Sequence, residues 1–281
     1  MKTLEFTAYE GTSGKVTAYL HSLINEMPVY REKYPVMIIC PGGGYNSCSQ
    51  READPVAFEY LSAGFNVFIL NYSVKDEAKD LVPLKELSSV IMKIRENADE
   101  WNCDGEKITV CGFSAGGHLT ASIATLWNHP TLLETFDNKG GLNKPNAVVL
   151  SYAVISADPA IYHGASIKRA AGIAFEKALD LISPEEKERQ MFFSLDKQVS
   201  KDTCPAFVWH TVEDTVVPVE NALRYIMAMQ ENGISYEAHI FPTGGHGISV
   251  CTNEVNREDE HNGQWVELSK KWLNKVFDYK L

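Results

Sequence analysis

Short runs rich in Val, Ile, Phe and Tyr alternate with longer segments of helical character along most of this chain. This alternation is typical of a mostly parallel sheet with helices on both faces. We predict eight strands, at Thr3–Tyr9, Lys15–Ser22, Pro35–Pro41, Phe65–Tyr72, Lys107–Gly112, Ala147–Val154, Ala206–Thr211 and Tyr236–Phe241. Only five residues separate the first two strands, so we expect an antiparallel hairpin at one edge, because a parallel crossover needs a longer connection.

Helical segments fit between the predicted strands, at Asp54–Ala63, Leu81–Trp101, Ala115–Trp127, Glu220–Asn232 and Gln264–Phe277. The stretch 158–203 is irregular and holds two charged helical pieces, Ile167–Leu181 and Pro184–Phe193. Because it follows a strand, we expect a lid-like insertion over the carboxyl edge of the sheet, with a plain surface excursion as the alternative. The length of 281 residues favours a single domain that spans residues 1–281.

Charge and cysteine content exclude several classes of function. The 26 Lys and Arg residues against 37 Asp and Glu residues give a net charge of −11, which repels nucleic acid and anionic membranes. The amino terminus lacks the apolar core of a signal peptide, and no apolar run approaches the roughly 20 residues of a membrane span. We therefore expect a cytoplasmic protein without nucleic-acid or membrane partners, and a homo-oligomer stays open. The six cysteines form no C-x-x-C pair, so we expect reduced thiols, no metal and no cofactor.

The segment Gly112-Phe113-Ser114-Ala115-Gly116 lies where a predicted strand ends and a predicted helix begins. This is the setting that the nucleophile motif G-x-S-x-G requires. The turn is so tight that bulky residues two positions before or after the serine would clash, so the two glycines allow Ser114 to project its hydroxyl. The motif alone occurs by chance in many proteins. Its strand–turn–helix setting is what favours Ser114 as a nucleophile.

A serine nucleophile needs a histidine to take its proton and an acid to orient that histidine. His246 lies in a glycine-rich loop after the last predicted strand and is our general base. Seven other histidines have no such placement, and we interpret them as structural or exposed: His21, His118, His129, His163, His210, His239 and His261.

The acid should lie between the serine and the histidine in the chain, at the carboxyl end of a strand. Asp214 follows the strand Ala206–Thr211 and precedes the next turn, so we favour it. Glu213 is the nearest rival, and Asp196 and Asp202 lie further away.

A reaction at an acyl carbon also needs hydrogen-bond donors for the developing oxyanion. The third predicted strand leads into Pro41-Gly42-Gly43-Gly44-Tyr45, and the amides of Gly43, Gly44 and Ala115 form our predicted oxyanion hole. A phosphate-binding loop is the alternative, but no G-K-[ST] follows the glycines.

Four segments, Pro41–Tyr45, Gly112–His118, Trp209–Pro218 and Phe241–Gly247, together resemble the esterase/lipase branch of the α/β-hydrolase superfamily, near bacterial acetyl esterases and xylan-esterase-like proteins. The resemblance covers nearly the whole chain. It implies the α/β-hydrolase fold and cofactor-free hydrolysis of small esters, often of acylated sugars. Pro41 stands where relatives of the hormone-sensitive-lipase type carry the histidine of their His-Gly-Gly-Gly motif.

We therefore predict a serine carboxylesterase that hydrolyses short acyl esters, acetyl above all, of carbohydrates through an acyl-enzyme. The stretch 158–203 mixes charged residues among its apolar ones, unlike a lid that docks on lipid. Tyr45 and Asn46 could offer an aromatic face and a hydrogen bond to a sugar, and a structural loop is the alternative for both. A serine peptidase, an acyltransferase and a catalytically silent binding protein of the same fold are the alternative functions.

Overall fold

One sheet of eight strands organises the part of the chain that the structure describes. The structure, a computed structural model, describes residues 1–23, 33–136, 140–174 and 176–279. The strands are β1 (Lys2–Thr7), β2 (Lys15–Leu20), β3 (Tyr34–Cys40), β4 (Asn66–Asn71), β5 (Cys103–Phe113), β6 (Ala147–Ser151), β7 (Ala206–Thr211) and β8 (Tyr236–Phe241). They lie in the order β1-β2-β4-β3-β5-β6-β7-β8. β2 pairs antiparallel with β1 and β4, and all the other neighbours are parallel, which confirms the predicted sheet.

Helices cover both faces of this sheet. They are α1 (Asp54–Ser62), α2 (Val82–Glu96), α3 (Ala115–Leu126), α4 (Pro130–Thr135), α5 (Gly164–Ala170), α6 (Pro184–Phe192), α7 (Glu220–Asn232) and α8 (Glu260–Phe277). The central strand β3 is buried on both sides, since Ile38 belongs to the apolar cluster with α2, α3 and α7, and Met37 to the cluster with α1 and α8. Within the described ranges, no helix combines the length and the apolar character needed to cross a membrane.

Several strand boundaries differ from the predicted ones by one or two residues, and two differ by more for local reasons. β6 ends at Ser151, before the predicted end at residue 154, because Tyr152 has a φ of 35° and leaves the extended conformation. β5 begins at Cys103 and not at Lys107, because a register shift allows Cys103 to pair with Tyr34. Hydrophobic periodicity distinguishes neither the positive φ nor the register shift.

Two helix boundaries also differ by more than one residue. The last helix begins at Glu260 and not at Gln264, because the Asp259 side chain accepts a hydrogen bond from a backbone amide of the first turn. α2 ends at Glu96, before the predicted end at Trp101, and a turn then leads into β5.

The helical piece predicted over Ile167–Leu181 is wrong as a continuous helix. α5 covers only Gly164–Ala170, and Gly172 follows it with a φ of 65°. A single 3-10 turn lies at Leu179–Leu181, and Phe175 falls outside the described residues. A glycine in the left-handed conformation ends the helix here.

Two short helices begin at clear caps. The predicted piece Pro184–Phe193 is confirmed as α6, which starts with a capping box between Ser183 and Glu186. α4 has no counterpart among the predicted segments. It begins where the His129 side chain accepts a hydrogen bond from the Thr131 amide.

Candidate active site

Ser114 lies on a sharp turn between β5 and α3. Its φ of 53° and ψ of −116° are strained for a residue with a side chain, a strain of order 1–3 kcal/mol. The surrounding glycines make the turn possible, because a Cβ on Gly112 would overlap the carbonyl oxygen of Gly116, and a Cβ on Gly116 would overlap that of Cys40. The turn presents the serine at the carboxyl edge of the sheet, where the predicted nucleophile was expected.

The structure brings the side chains of Ser114, His246 and Asp214 into one hydrogen-bonded path. The distance from His246 Nε2 to Ser114 Oγ is 2.8 Å, and that from His246 Nδ1 to Asp214 Oδ2 is 2.6 Å. Because an ionised carboxylate only accepts hydrogen bonds, Nδ1 carries the proton and Nε2 is free to accept the serine hydroxyl. Glu213 makes no such contact, and its carboxylate accepts a hydrogen bond from the Gly244 amide at 3.2 Å.

Asp214 is held rigidly at the end of β7. Its Oδ1 accepts hydrogen bonds from the amides of Val216 and Val217, both at 2.9 Å, and its Oδ2 lies 3.4 Å from His210 Nε2. Burial disfavours its ionised form, but the hydrogen bonds from His210 and His246 outweigh burial and hold the pKa of Asp214 well below its usual range. The carboxylate therefore stays ionised well into acid.

This low pKa of Asp214 gives a prediction for the pH dependence of activity. Because Asp214 keeps its charge well into acid, protonation of this carboxylate should not lower kcat/KM between neutral and mildly acid pH. A plot of log kcat/KM against pH should therefore fall toward mildly acid pH with a slope of no more than about one. Initial rates measured across acid to neutral pH check this, and a slope of about two would contradict the continued ionisation of Asp214.

The glycine loop after β3 lies against the nucleophile, since a Cβ built on Gly42 would be 3.0 Å from Ser114 Cβ. Gly43 and Gly44 have φ values of 130° and 64°, which favour glycine. Within the described residues, the amides of these two glycines donate to no protein acceptor. Ala115 is the first residue of α3, where an amide has no partner inside the helix. All three predicted oxyanion donors thus remain available.

A buried carboxylate that the sequence analysis missed fixes this loop. Glu52 accepts hydrogen bonds from the Gly42 amide and from the Tyr152 hydroxyl, both at 2.7 Å. The ring of Tyr152 meets that of His246 edge-on, with their centroids 5.0 Å apart. Burial raises the pKa of Glu52, and the two hydrogen bonds oppose this shift. Glu52 therefore links the glycine loop to Tyr152, whose ring packs against His246. No sequence motif identifies Glu52.

Tyr45 does not lie at the mouth of the site. Only 2% of its side chain is exposed, and its hydroxyl donates a hydrogen bond to His118 Nδ1 at 2.9 Å. Burial lowers the pKa of His118 to about 4, so the ring is neutral, and its Nε2 donates to the Phe193 carbonyl at 3.2 Å. The prediction that Tyr45 offers an aromatic face to a sugar is therefore corrected. Its side chain contacts His118 in the protein interior. Asn46 is exposed beside the loop.

The stretch 158–203 reaches the glycine loop through α5. Arg169 donates a hydrogen bond to the Gly44 carbonyl at 3.1 Å, and Asn46 Oδ1 lies 3.5 Å from the same guanidinium. His163, directly before α5, is half-buried with its Cε1 3.7 Å from the position that a Cβ of Gly44 would take. His163 was expected to be structural or exposed, and nothing in its local sequence pattern indicates this contact.

The described residues contain no group of three or more His, Cys, Asp or Glu side chains arranged to hold a metal ion.

The elbow serine, the histidine after the last strand and the sheet order together define the α/β-hydrolase fold. Solved structures confirm this prediction. An acetyl ester-xyloside bifunctional hydrolase from Caldicellulosiruptor lactoaceticus is 28% identical, with a TM-score of 0.81 over 99% of this chain and 97% of the other. MGS-M1, an α/β hydrolase from a deep-sea metagenome library, is 32% identical, with a TM-score of 0.76 over 99% of both chains.

The chain belongs to the BD-FAE family, whose sequence model matches residues 24–227. Endo-1,4-beta-xylanase B of Butyrivibrio fibrisolvens is 34% identical over 88% of this chain and 37% of its own length. The acetylxylan esterase of Xylanibacter ruminicola is 28% identical over 75% of this chain and 40% of its own length. The chain thus spans about two fifths of these curated relatives. The Xylanibacter relative is named an esterase, which agrees with the resemblance found in the sequence.

Proposed function

We propose that this protein hydrolyses short acyl esters, acetyl above all, of carbohydrate or similarly polar alcohols. The observation that carries the proposal is the hydrogen-bonded path from Asp214 through His246 to Ser114, which ends beside the open amides of the glycine loop. A serine with such partners is activated for attack on a carbonyl carbon.

In the first half of the reaction, Ser114 Oγ attacks the ester carbonyl carbon while His246 Nε2 takes its proton. The amides of Gly43, Gly44 and Ala115 stabilise the negative charge on the carbonyl oxygen. Asp214 holds the imidazole and stabilises the imidazolium. The bond to the alcohol oxygen then breaks, and His246 returns its proton to the departing alcohol.

In the second half, a water molecule attacks the acyl-serine carbon while His246 again accepts a proton. Collapse of this second intermediate releases the carboxylic acid and restores the Ser114 hydroxyl. The same donors serve both halves, because both develop charge on the same oxygen.

The short acyl group and the polar alcohol have separate supports. The acetyl and xylan specificities appear in the names of relatives, not in a bound substrate. In α6, Glu185, Lys187 and Glu188 are exposed, so we propose that 158–203 forms a water-tolerant cover within one domain and not a lipid-docking lid. Acyl chains of about eight carbons or more bury more apolar surface than an acetyl group, so they would need a larger apolar site on the protein.

A substrate panel tests this proposal. We expect phenyl acetate and acetylated xylo-oligosaccharides to be hydrolysed, and kcat/KM to fall as the acyl chain of the phenyl ester lengthens. A preference for acyl chains of about eight carbons or more would contradict the short-acyl claim. Indifference to every acetylated sugar would remove the carbohydrate claim, and cleavage of peptides but not esters would favour a peptidase. Inertness toward all substrates would favour a silent binding protein.

A further inference from the structure

His163 has a fixed arrangement of its ring proton. Its Nδ1 accepts a hydrogen bond from the Ser166 amide at 3.4 Å and lies 2.8 Å from the Ser166 hydroxyl. A backbone amide can only donate, so Nδ1 carries no proton. Burial lowers the pKa of His163, and the nearby His246 and Arg169 lower it further, which keeps the ring neutral. The single ring proton therefore lies on Nε2.

This Nε2–H group lies near the glycine loop. The ring carbon Cε1, which is bonded to Nε2, lies 3.7 Å from the position of a Gly44 Cβ. Among the described residues, Nε2 has no hydrogen-bond partner, although Nδ1 has two contacts. It is also absent from the polar atoms that are sealed from solvent without a partner. His163 thus presents an accessible, unpaired donor next to the proposed oxyanion hole.

We propose that His163 is a specificity-determining residue whose Nε2–H donates a hydrogen bond to an oxygen of the substrate's alcohol part. This inference rests on the proposed esterase function. It identifies His163 as the residue that favours substrates with a polyhydroxylated alcohol part.

The chemistry of the acyl and alcohol parts of the substrate indicates that the alcohol part accepts this hydrogen bond. An acetyl group has one polar atom, its carbonyl oxygen, and three backbone amides are already available for that atom. A further neutral donor finds an acceptor only on the oxygen-rich alcohol. A donor left unpaired in a closed complex disfavours substrates that lack the acceptor, so it discriminates as well as binds.

The capping role of His163 can be separated from the donor role by the choice of variant. In His163→Asn, the amide oxygen can replace Nδ1 as the cap acceptor, since Asn is a good helix cap, but no donor reaches as far as Nε2. In His163→Gln, the longer side chain returns an N–H group to about that reach. His129 also caps a helix through its Nδ1, at the Thr131 amide, so His129→Asn is the matched control.

The experiment measures kcat/KM of each variant on acetylated xylobiose and on phenyl acetate, whose alcohol part offers no hydroxyl. We expect His163→Asn to lower the ratio of kcat/KM on acetylated xylobiose to kcat/KM on phenyl acetate about tenfold. This is the expected effect of losing one hydrogen bond in the bound state. His163→Gln should recover part of the ratio, and His129→Asn should not change it.

Two results would overturn the inference. An equal loss on both substrates would place His163 at the oxyanion or in the fold, and an unchanged ratio would show that it meets no substrate oxygen. The proposed function fails differently, because the wild-type protein itself would then not cleave acetylated xylobiose. That outcome would overturn both claims.

Discussion

Replacement of Ser114 by Ala should lower kcat by about 10⁴ to 10⁶-fold, because the attacking oxygen is lost while binding remains. Its hydroxyl lies 2.8 Å from His246 Nε2, and no other hydroxyl contacts that nitrogen in the described residues. A phosphonate that reacts with activated serines should label the wild-type protein at Ser114 and leave the variant unlabelled. Steady-state rates and mass spectrometry of the labelled peptide check the two expectations.

The matched control for this variant is Ser122→Ala. Ser122 is buried on α3, the helix that follows Ser114, and its hydroxyl donates to the His118 carbonyl inside the helix. Its loss removes one hydroxyl from the same region without touching His246. Near-normal turnover by Ser114→Ala, or labelling of another serine at the same rate, would disprove the proposed mechanism.

Replacement of Asp214 by Asn should lower kcat by about 10⁴-fold, because it reverses the proton arrangement of the histidine. The Val216 and Val217 amides donate to Oδ1, so the amide oxygen of Asn must occupy that place. Its NH₂ group would then face His246 Nδ1 as a donor. The imidazole is thereby driven to carry its proton on Nε2, where it cannot accept a proton from Ser114.

Glu213→Gln is the control that separates the two neighbouring acids. Glu213 contacts the Gly244 amide and not the histidine, so we expect a change of a few-fold at most. The comparison is made by kcat at saturating substrate for the two purified variants. A larger loss in Glu213→Gln than in Asp214→Asn would assign the acid to Glu213 instead.

Local sequence was sufficient for the elements that a motif or a period defines. The alternation of strands and helices predicts the parallel sheet, and the G-x-S-x-G motif at a strand end predicts the turn at Ser114. Chain order then places an acid and a histidine on neighbouring loops. These features could be predicted because each depends on residues within one or two elements.

The remaining features depend on contacts between distant residues, which periodicity does not encode. Glu52 meets Tyr152 across 100 positions of the chain, and Tyr152 takes a positive φ that also shortens β6. His163 meets Gly44 only because α5 folds back over the glycine loop. The sequence left Tyr45 open as a sugar contact or as part of a structural loop, and the interior partner that His118 gives its hydroxyl favours the structural role. Tertiary packing decides each of these.

The shared contact of Tyr45, His118 and the Phe193 carbonyl constrains how this chain can diverge during evolution. Each single replacement in the chain of two hydrogen bonds leaves a buried polar partner unpaired, at about 1–3 kcal/mol. Tolerated change at Tyr45 and His118 must therefore be coordinated, so the two positions should be strongly epistatic. The exposed charges of α6 carry no such coupling and can drift one at a time. Substitutions at the exposed positions of α6 can then accumulate independently while the interior contacts beside the glycine loop stay unchanged.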